Sequence, residues 1–252
     1  MFYQFLRKSN SGYSLIEMVV VIIIIGIIAA VTMKSLGKAT EVSRTEETKK
    51  EMELLSYAIA GNPDLIANGS RSDFGYIGDV GAMPANWDAL VTNPGGYTSW
   101  DGPYIKDEFA SGTGDTEFKL DAWGQQYSSP ATINFSSTGG GFTITRNIAN
   151  SSNNLLVNSV FAVLTDLDNS APGATYSDSV KFVITIPNGA GSYILKSGNP
   201  GADGLCQIDS IPIGNHLFQI IYIPNNDTLT RRISVNPGED IYLNLNYFAD
   251  VW

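Results

Sequence analysis

SGYSLIEMVVVIIIIGIIAAVTMK, residues 11–34, is the stretch on which the reading of the chain turns. From Leu15 to Met33 the only charged side chain is Glu17. As a helix rising about 1.5 Å per residue, the run measures roughly 28 Å, close to the hydrocarbon thickness of a bilayer. Arg7 and Lys8 precede it, so the positive-inside rule keeps the leader in the cytoplasm and sends the remainder across the membrane. A secretory signal peptide would have a shorter apolar core, about 7–15 residues, ending in a small-x-small cleavage site. A plain membrane anchor explains the length but not Glu17. A carboxylate within an apolar helix is costly and normally has a partner. No Lys or Arg lies within helical reach on its C-terminal side. Cleavage after Gly12 would supply one, because the new ammonium group on Tyr13 would lie one helical turn before Glu17.

Gly12, Tyr13 and Glu17, set between a short basic leader and the apolar run, resemble the class III signal of type IV prepilins and pseudopilins. Gly26 matches that family's glycine within the apolar helix. The resemblance implies cleavage by the prepilin peptidase, N-methylation of Tyr13, and a filament whose register is set by Glu17. Two positions depart from the pattern. Tyr13 replaces the commoner Phe, and Lys34 stands where the family often has proline. Gly26, at about 1 kcal/mol relative to Ala, is then the obvious weak point of the helix. Beyond Lys34 the helical period continues through Leu36, Ala39, Val42, Met52, Leu55 and Ile59 to about residue 61. That stripe is expected to pack on the chain's own head, with Asn62 and Pro63 stopping the helix.

Composition narrows the remaining possibilities. Charged residues make up 16% of the 252, below the usual figure of about 25%, while Gly, Ser, Thr and Asn are plentiful. This suits a β-rich protein outside the cytoplasm. A net charge of −10 argues against nucleic acid as a partner, since phosphate binding needs a basic surface. The single cysteine, Cys206, excludes an internal disulfide and reads as a small buried hydrophobe in a strand. Any Ser–His–Asp triad would have to use the single histidine, His216, which sits in a predicted strand without a nucleophile elbow. With no Walker loop, dinucleotide fingerprint or zinc spacing either, the chain is not expected to be an enzyme.

In the middle segment, WDGPYIKDEF (100–109) and FKLDAWGQQY (118–127) flank a polar loop. Trp123 beside Gly124 reads as a core anchor next to a tight turn, and Tyr104 and Tyr127 as buried rings whose hydroxyls need partners. The GPY and D-x-W-G-x-x-Y patterns, Gly102, Pro103, Tyr104, Asp121, Trp123, Gly124 and Tyr127, resemble the head region of major pseudopilins. That resemblance implies calcium, for which Asp107, Asp115 and Asp121 are the candidate ligands, supported by Glu108 and Glu117. The spacing is not that of an EF-hand, and a solvated acidic loop is the alternative.

Residues 150–154 are Ser/Asn-rich and read as a linker. After it, 155–166, 180–186, 191–196, 216–223, 230–235 and 241–247 are short β-branched or aromatic runs separated by turns, which predicts an antiparallel sandwich. The string from Cys206 to Ile241 resembles the end of a transthyretin-like, carboxypeptidase-regulatory-type domain, with Ile211, Pro212, Gly214 and His216 as matches. Such domains are usually non-catalytic, which implies a module displayed on a filament surface.

The expected fold class is therefore α+β. Residues 1–12 form a leader, 13–62 a long helix, 63–150 a pilin-like head and 151–252 an antiparallel β-sandwich. The expected role is a structural subunit of a type IV pilus-like filament, with other copies of itself, the prepilin peptidase and an inner-membrane assembly platform as partners. It would begin in the inner membrane and end in the periplasm or at the cell surface. Two alternatives stand beside it: a type II secretion pseudopilin, and a membrane-anchored binding module that never polymerises.

Overall fold

Helix α1 (Leu15–Ala60) opens a computed structural model that describes residues 12–105, 117–247 and 250–252. Its first half is rich in Val and Ile, which lose rotamer freedom in a helix. In an apolar solvent the backbone has no other way to pair its polar groups, and that outweighs weak propensity. The hydroxyls of Thr32, Thr40 and Thr45 donate to the carbonyls of Ile28, Leu36 and Glu41, so each is satisfied within the helix. The chain divides at Glu46 and Glu47 into two compact units.

In the first unit, residues 12–44 are exposed throughout. This corrects the expectation for part of the apolar stripe. Leu36 is 66% and Val42 63% exposed, and Ala39 is exposed as well. Burial on the head begins at Thr48 and takes in Met52, Leu55 and Ile59. Spacing identifies the side of a helix that is apolar; it does not say how far the covering surface extends.

In the second unit, Glu47–Trp252, the end of α1 is locked by several groups. Gly61 takes the left-handed conformation at φ +82°, and its amide donates to the Tyr57 carbonyl at 2.7 Å. A Cβ there would lie 2.2 Å from the Asp73 carbonyl oxygen, so glycine is required and stops the helix ahead of Asn62 and Pro63. The Arg71 guanidinium donates to the Ala60 and Gly61 carbonyls, satisfying acceptors that the helix leaves open. The Asp73 carboxylate accepts the amides of Asn62 and Gly75. Arg71 is delivered by a short hairpin, β1 (Ile66–Ala67) and β2 (Ser70–Arg71), around Asn68 and Gly69, both at positive φ.

The first core joins α1 to α2 (Gly75–Val80) through Met52, Leu55, Ile59, Ile77 and Val80, and includes Trp87, Leu90, Tyr127 and Phe135. Trp87 packs edge-to-face on Phe135 at 5.0 Å and serves as the aromatic anchor. Trp123, expected in that role, is half-buried and packs on Phe142, which is itself 48% exposed. Strands β3 (Asn134–Ser137) and β4 (Ile144–Asn147) pair antiparallel beside this core. Asp121 pins the approach to them. One carboxylate oxygen accepts the amides of Trp123 and Gln125, and the other accepts the Ser137 hydroxyl and the Gly139 amide.

Residues 150–154 are not a free linker. Ser151 caps α3 (Ser152–Leu156), and Leu155 is fully buried in the first core together with Ile213. The remaining strands are β5 (Asn158–Thr165), β6 (Val180–Pro187), β7 (Tyr193–Gly198), β8 (Leu205–Ile211), β9 (Gly214–Tyr222), β10 (Asp227–Val235) and β11 (Ile241–Asn246), with the single turn α4 (Gly173–Tyr176) before β6. They form two sheets, ordered β10-β9-β6-β7 and β11-β5-β8. Their inner faces share the second core, to which Val160, Leu164, Phe182, Ile184, Phe218 and Ile220 contribute. Strand β8 is absent from the runs legible in the sequence, because its alternation is interrupted by polar Asp209 and Ser210. The sandwich is also not wholly antiparallel: β11 pairs parallel to β5, from Ile241 opposite Val160 to Asn246 opposite Thr165. The long connection between these strands through the other sheet permits that direction. Cys206 is buried in the second core, where desolvation pushes its thiol pKa up.

Asp121→Ala would leave four donors without their acceptor. We expect a loss of about 3 kcal/mol in stability, read as a lower urea midpoint at unchanged slope for the chain in nonionic detergent.

Candidate functional site

The site with the most specific chemistry is the beginning of α1. Residues 12–14 precede the helix in non-helical conformation, and Ser14 occupies the N-cap position. The Ser14 amide donates to Glu17 Oε2 at 2.8 Å, and the Glu17 amide donates to Ser14 Oγ at 3.3 Å. This reciprocal pair is a capping box, which satisfies orphan donors at a helix start. It also holds the one charged side chain of the apolar run at the end of the helix where the macrodipole favours a negative charge. From the sequence alone, an ammonium group released by cleavage is the one partner expected for Glu17. The structure adds a second partner, Ser14, which engages Glu17 within the uncut chain. The S-x-x-E pattern of residues 14–17 is a readable signal for that partner.

Tyr13 is 80% exposed, and Gly12 is exposed as well. A Cβ at Gly12 would meet nothing within 4 Å, and the same holds for Gly26 within the helix. Neither glycine is demanded by packing among the described residues. Arg7 and Lys8 lie outside the described residues. By length and composition α1 could cross a membrane, with a mean hydropathy of 2.9 in its most apolar window, near the N-terminus.

The other sequence candidates separate. Asp107 and Asp115 lie outside the described residues. Asp121 is buried, and its four hydrogen bonds make it the hub of a turn, with the usual acceptor positions of a carboxylate filled. Tyr127 donates to Glu51 and Tyr104 to Asp79, so both predicted buried tyrosines find carboxylate partners. Burial raises the pKa of Glu51, while the Tyr127 hydroxyl partly offsets that rise. His216 is buried with Nε2 2.8 Å from the Pro212 carbonyl, and desolvation lowers its pKa. An acidic group not singled out from sequence joins Asp166, Asp168 and Asp250. Asp166 in it already accepts the amides of Ser170, Val251 and Trp252.

The geometry at the start of α1 fits a prepilin-type N-terminus, and the family model for the prokaryotic N-terminal methylation motif matches residues 7–33. The chain carries a prepilin-type N-terminal motif and is similar to a type II secretion pseudopilin. Type II secretion system core protein G of Xanthomonas campestris pv. campestris is 32% identical over 101 residues, covering 40% of this chain and 60% of that protein. Two solved structures also align. One is the dioxygenase domain of a dioxygenase–carbohydrate-binding fusion from Streptomyces sp. SirexAA-E, at TM-score 0.28 and 12% identity, covering 40% of this chain and 86% of that one. The other is the major pilin subunit of Bacillus cereus, at TM-score 0.24 and 14% identity, covering 47% and 37%. Scores this low carry no argument.

Ser14→Ala removes the hydroxyl half of the capping box. The helix start should weaken by about 1 kcal/mol, seen as roughly fivefold faster amide exchange at Ile16 and Glu17 in micelles.

Proposed function

We propose that this chain is a structural subunit of a type IV pilus-like filament, cut between Gly12 and Tyr13 by a prepilin peptidase and polymerised through α1. The observation that carries this reading is the capped carboxylate of Glu17 at the head of an otherwise uncharged, fully exposed apolar run, residues 15–33. In the precursor, α1 sits in the inner membrane and the capping box satisfies Glu17. Cleavage and methylation leave a charged amine on Tyr13. On extraction by the assembly platform, Val and Ile side chains exchange lipid for the helices of neighbouring subunits, so apolar surface stays covered in both states. Glu17 then neutralises the Tyr13 amine of an adjacent subunit, a charge-assisted contact stronger than the amide of Ser14 provides. Gly26, with open space at its Cβ, lets a neighbouring helix come close. The β-sandwich is displayed on the filament surface.

The 32% identity to a type II secretion core protein favours a second reading, a periplasmic pseudopilin acting in protein export. Immunogold imaging separates the two. Filaments outside intact cells support the pilus, whereas a secretion defect without external filaments on gene deletion supports the pseudopilin. Mass spectrometry of the mature chain tests the shared premise, with a methylated Tyr13 N-terminus as the expected result and an intact leader as its refutation. Glu17→Ala should abolish or strongly reduce polymer in sheared fractions while leaving membrane insertion intact. A non-polymerising anchored module would be indifferent to that change.

A further inference from the structure

Between the outer face of the sheet β10-β9-β6-β7 and the head segment around α2 lies a cleft of about 490 Å³. Its floor is set by strand alternation. Phe182, Ile184, Phe218 and Ile220 face the second core, so Thr185 and Leu217, directly opposite each other, face the cleft. Tyr193, paired with Pro187 on β7, shares that face and is 56% exposed. The wall is made by Asp79 of α2, Asp101 and Tyr104.

The hydrogen-bond inventory of this cleft is lopsided. The Tyr104 hydroxyl donates to Asp79 Oδ2 at 2.7 Å and accepts the Asp101 amide at 3.1 Å, so it is spent. Among the described residues nothing donates to Asp79 Oδ1 or to the Asp101 carboxylate. Asp73 has both oxygens on backbone amides. Burial raises the pKa of the Tyr193 phenol, and the carboxylates of Asp79 and Asp101 add to the rise. Arg232, the cation lining the cleft, sits on β10, whereas Tyr193 sits on β7. These are the two edges of the sheet, about 14 Å apart at the usual strand spacing. Among the described residues, Asp79 and Asp101 belong to no group of three side chains close enough to share a metal ion.

What remains open is a pair of acceptors beside the exposed Tyr193 ring and the aliphatic side chain of Leu217, in a cleft whose lining is otherwise largely polar. A ligand that fits must bring donors only, carry positive charge, and have an apolar stem. We propose that the cleft binds a primary ammonium group on an aliphatic stem, the chemistry shared by a lysine side chain and a free alkylamine. The ammonium, with three donors and no acceptor, sits between Asp79 and Asp101. Its methylenes lie along Leu217 and the Tyr193 ring, which adds cation–π attraction.

The site carries a pH signature. Burial, with Asp101 and Asp73 adding to it, lifts the Asp79 pKa to about 6. The other groups facing it are Asp73, Asp101, Tyr104, Tyr193, His216 and Arg232. His216 is buried with a lowered pKa and contributes no charge near neutrality. An ammonium binds the ionised carboxyl, so affinity rises with pH through the Asp79 transition.

The test uses the full chain in nonionic detergent, titrated with n-butylammonium chloride and with Nα-acetyl-lysine methylamide at pH 7 and pH 5. Both probes should bind saturably at pH 7 and about tenfold more weakly at pH 5, following the ionised fraction of Asp79. The Nε-acetylated form of the lysine probe should not bind. Asp79→Asn, which keeps the acceptor for Tyr104, and Asp101→Asn should each lower affinity at least about tenfold with an unchanged melting temperature at pH 5. No saturable binding to the folded wild type, equal binding of the acetylated probe, or an affinity independent of pH would each overturn the proposal. Carbodiimide cross-linking of a mixture of isotope-labelled and unlabelled chains distinguishes the sources. A bond from Asp79 or Asp101 to a lysine of the other copy identifies a second chain as the ligand; probe binding without such a bond identifies a free amine.

Discussion

A carboxylate at the head of an apolar run that otherwise offers only hydrocarbon to its surroundings, residues 15–33, is the constraint on which the first unit depends. Glu17 needs donors in every environment that α1 occupies. In the isolated chain the need is met by the capping box with Ser14, which works because two backbone amides at a helix start are themselves short of acceptors. The box satisfies the amides of Ser14 and Glu17, two of the donors that a helix start leaves open. In the filament proposed above, the same carboxylate would exchange that neutral donor for the charged amine of another subunit.

The second unit is built so that the end of α1 is not frayed. Gly61 turns the chain, Arg71 takes the last carbonyls, and Asp73 takes the amides of Asn62 and Gly75. Buried side chains from Met52 to Ile59 then make the last turns of α1 part of the first core. Leu155 and Ile213 enter that core from α3 and from the β8–β9 turn, so the β-sandwich is seated on the head through shared apolar surface. The cleft with Asp79 and Asp101 lies along this seam, where polar head groups face a sheet exterior.

Two acidic residues show how differently one residue type can serve. Asp121 is saturated by four donors and spends its charge on organising a turn. Asp79 has one donor, is half-buried, and keeps a raised pKa. Read as sequence, the first is a metal candidate and the second draws no notice, because a string of residues reports neither the number of donors around a carboxylate nor its burial.

By itself the sequence determined the helix, the prepilin-type N-terminal motif and the strand-rich C-terminal half. These rest on local signals: an uninterrupted apolar run, a glycine–aromatic–glutamate spacing, and alternating β-branched residues between turns. The Ser14–Glu17 box was equally local. Only the tertiary structure decided where α1 ceases to be exposed, that Trp87 rather than Trp123 anchors the first core, that the Ser/Asn stretch runs into a short helix whose Leu155 is buried, and that β11 runs parallel to β5. Each of these depends on which distant segment arrives as a neighbour. Period and propensity are properties of a segment, whereas burial, strand direction and the filling of a carboxylate's lone pairs belong to pairs of segments far apart in the chain.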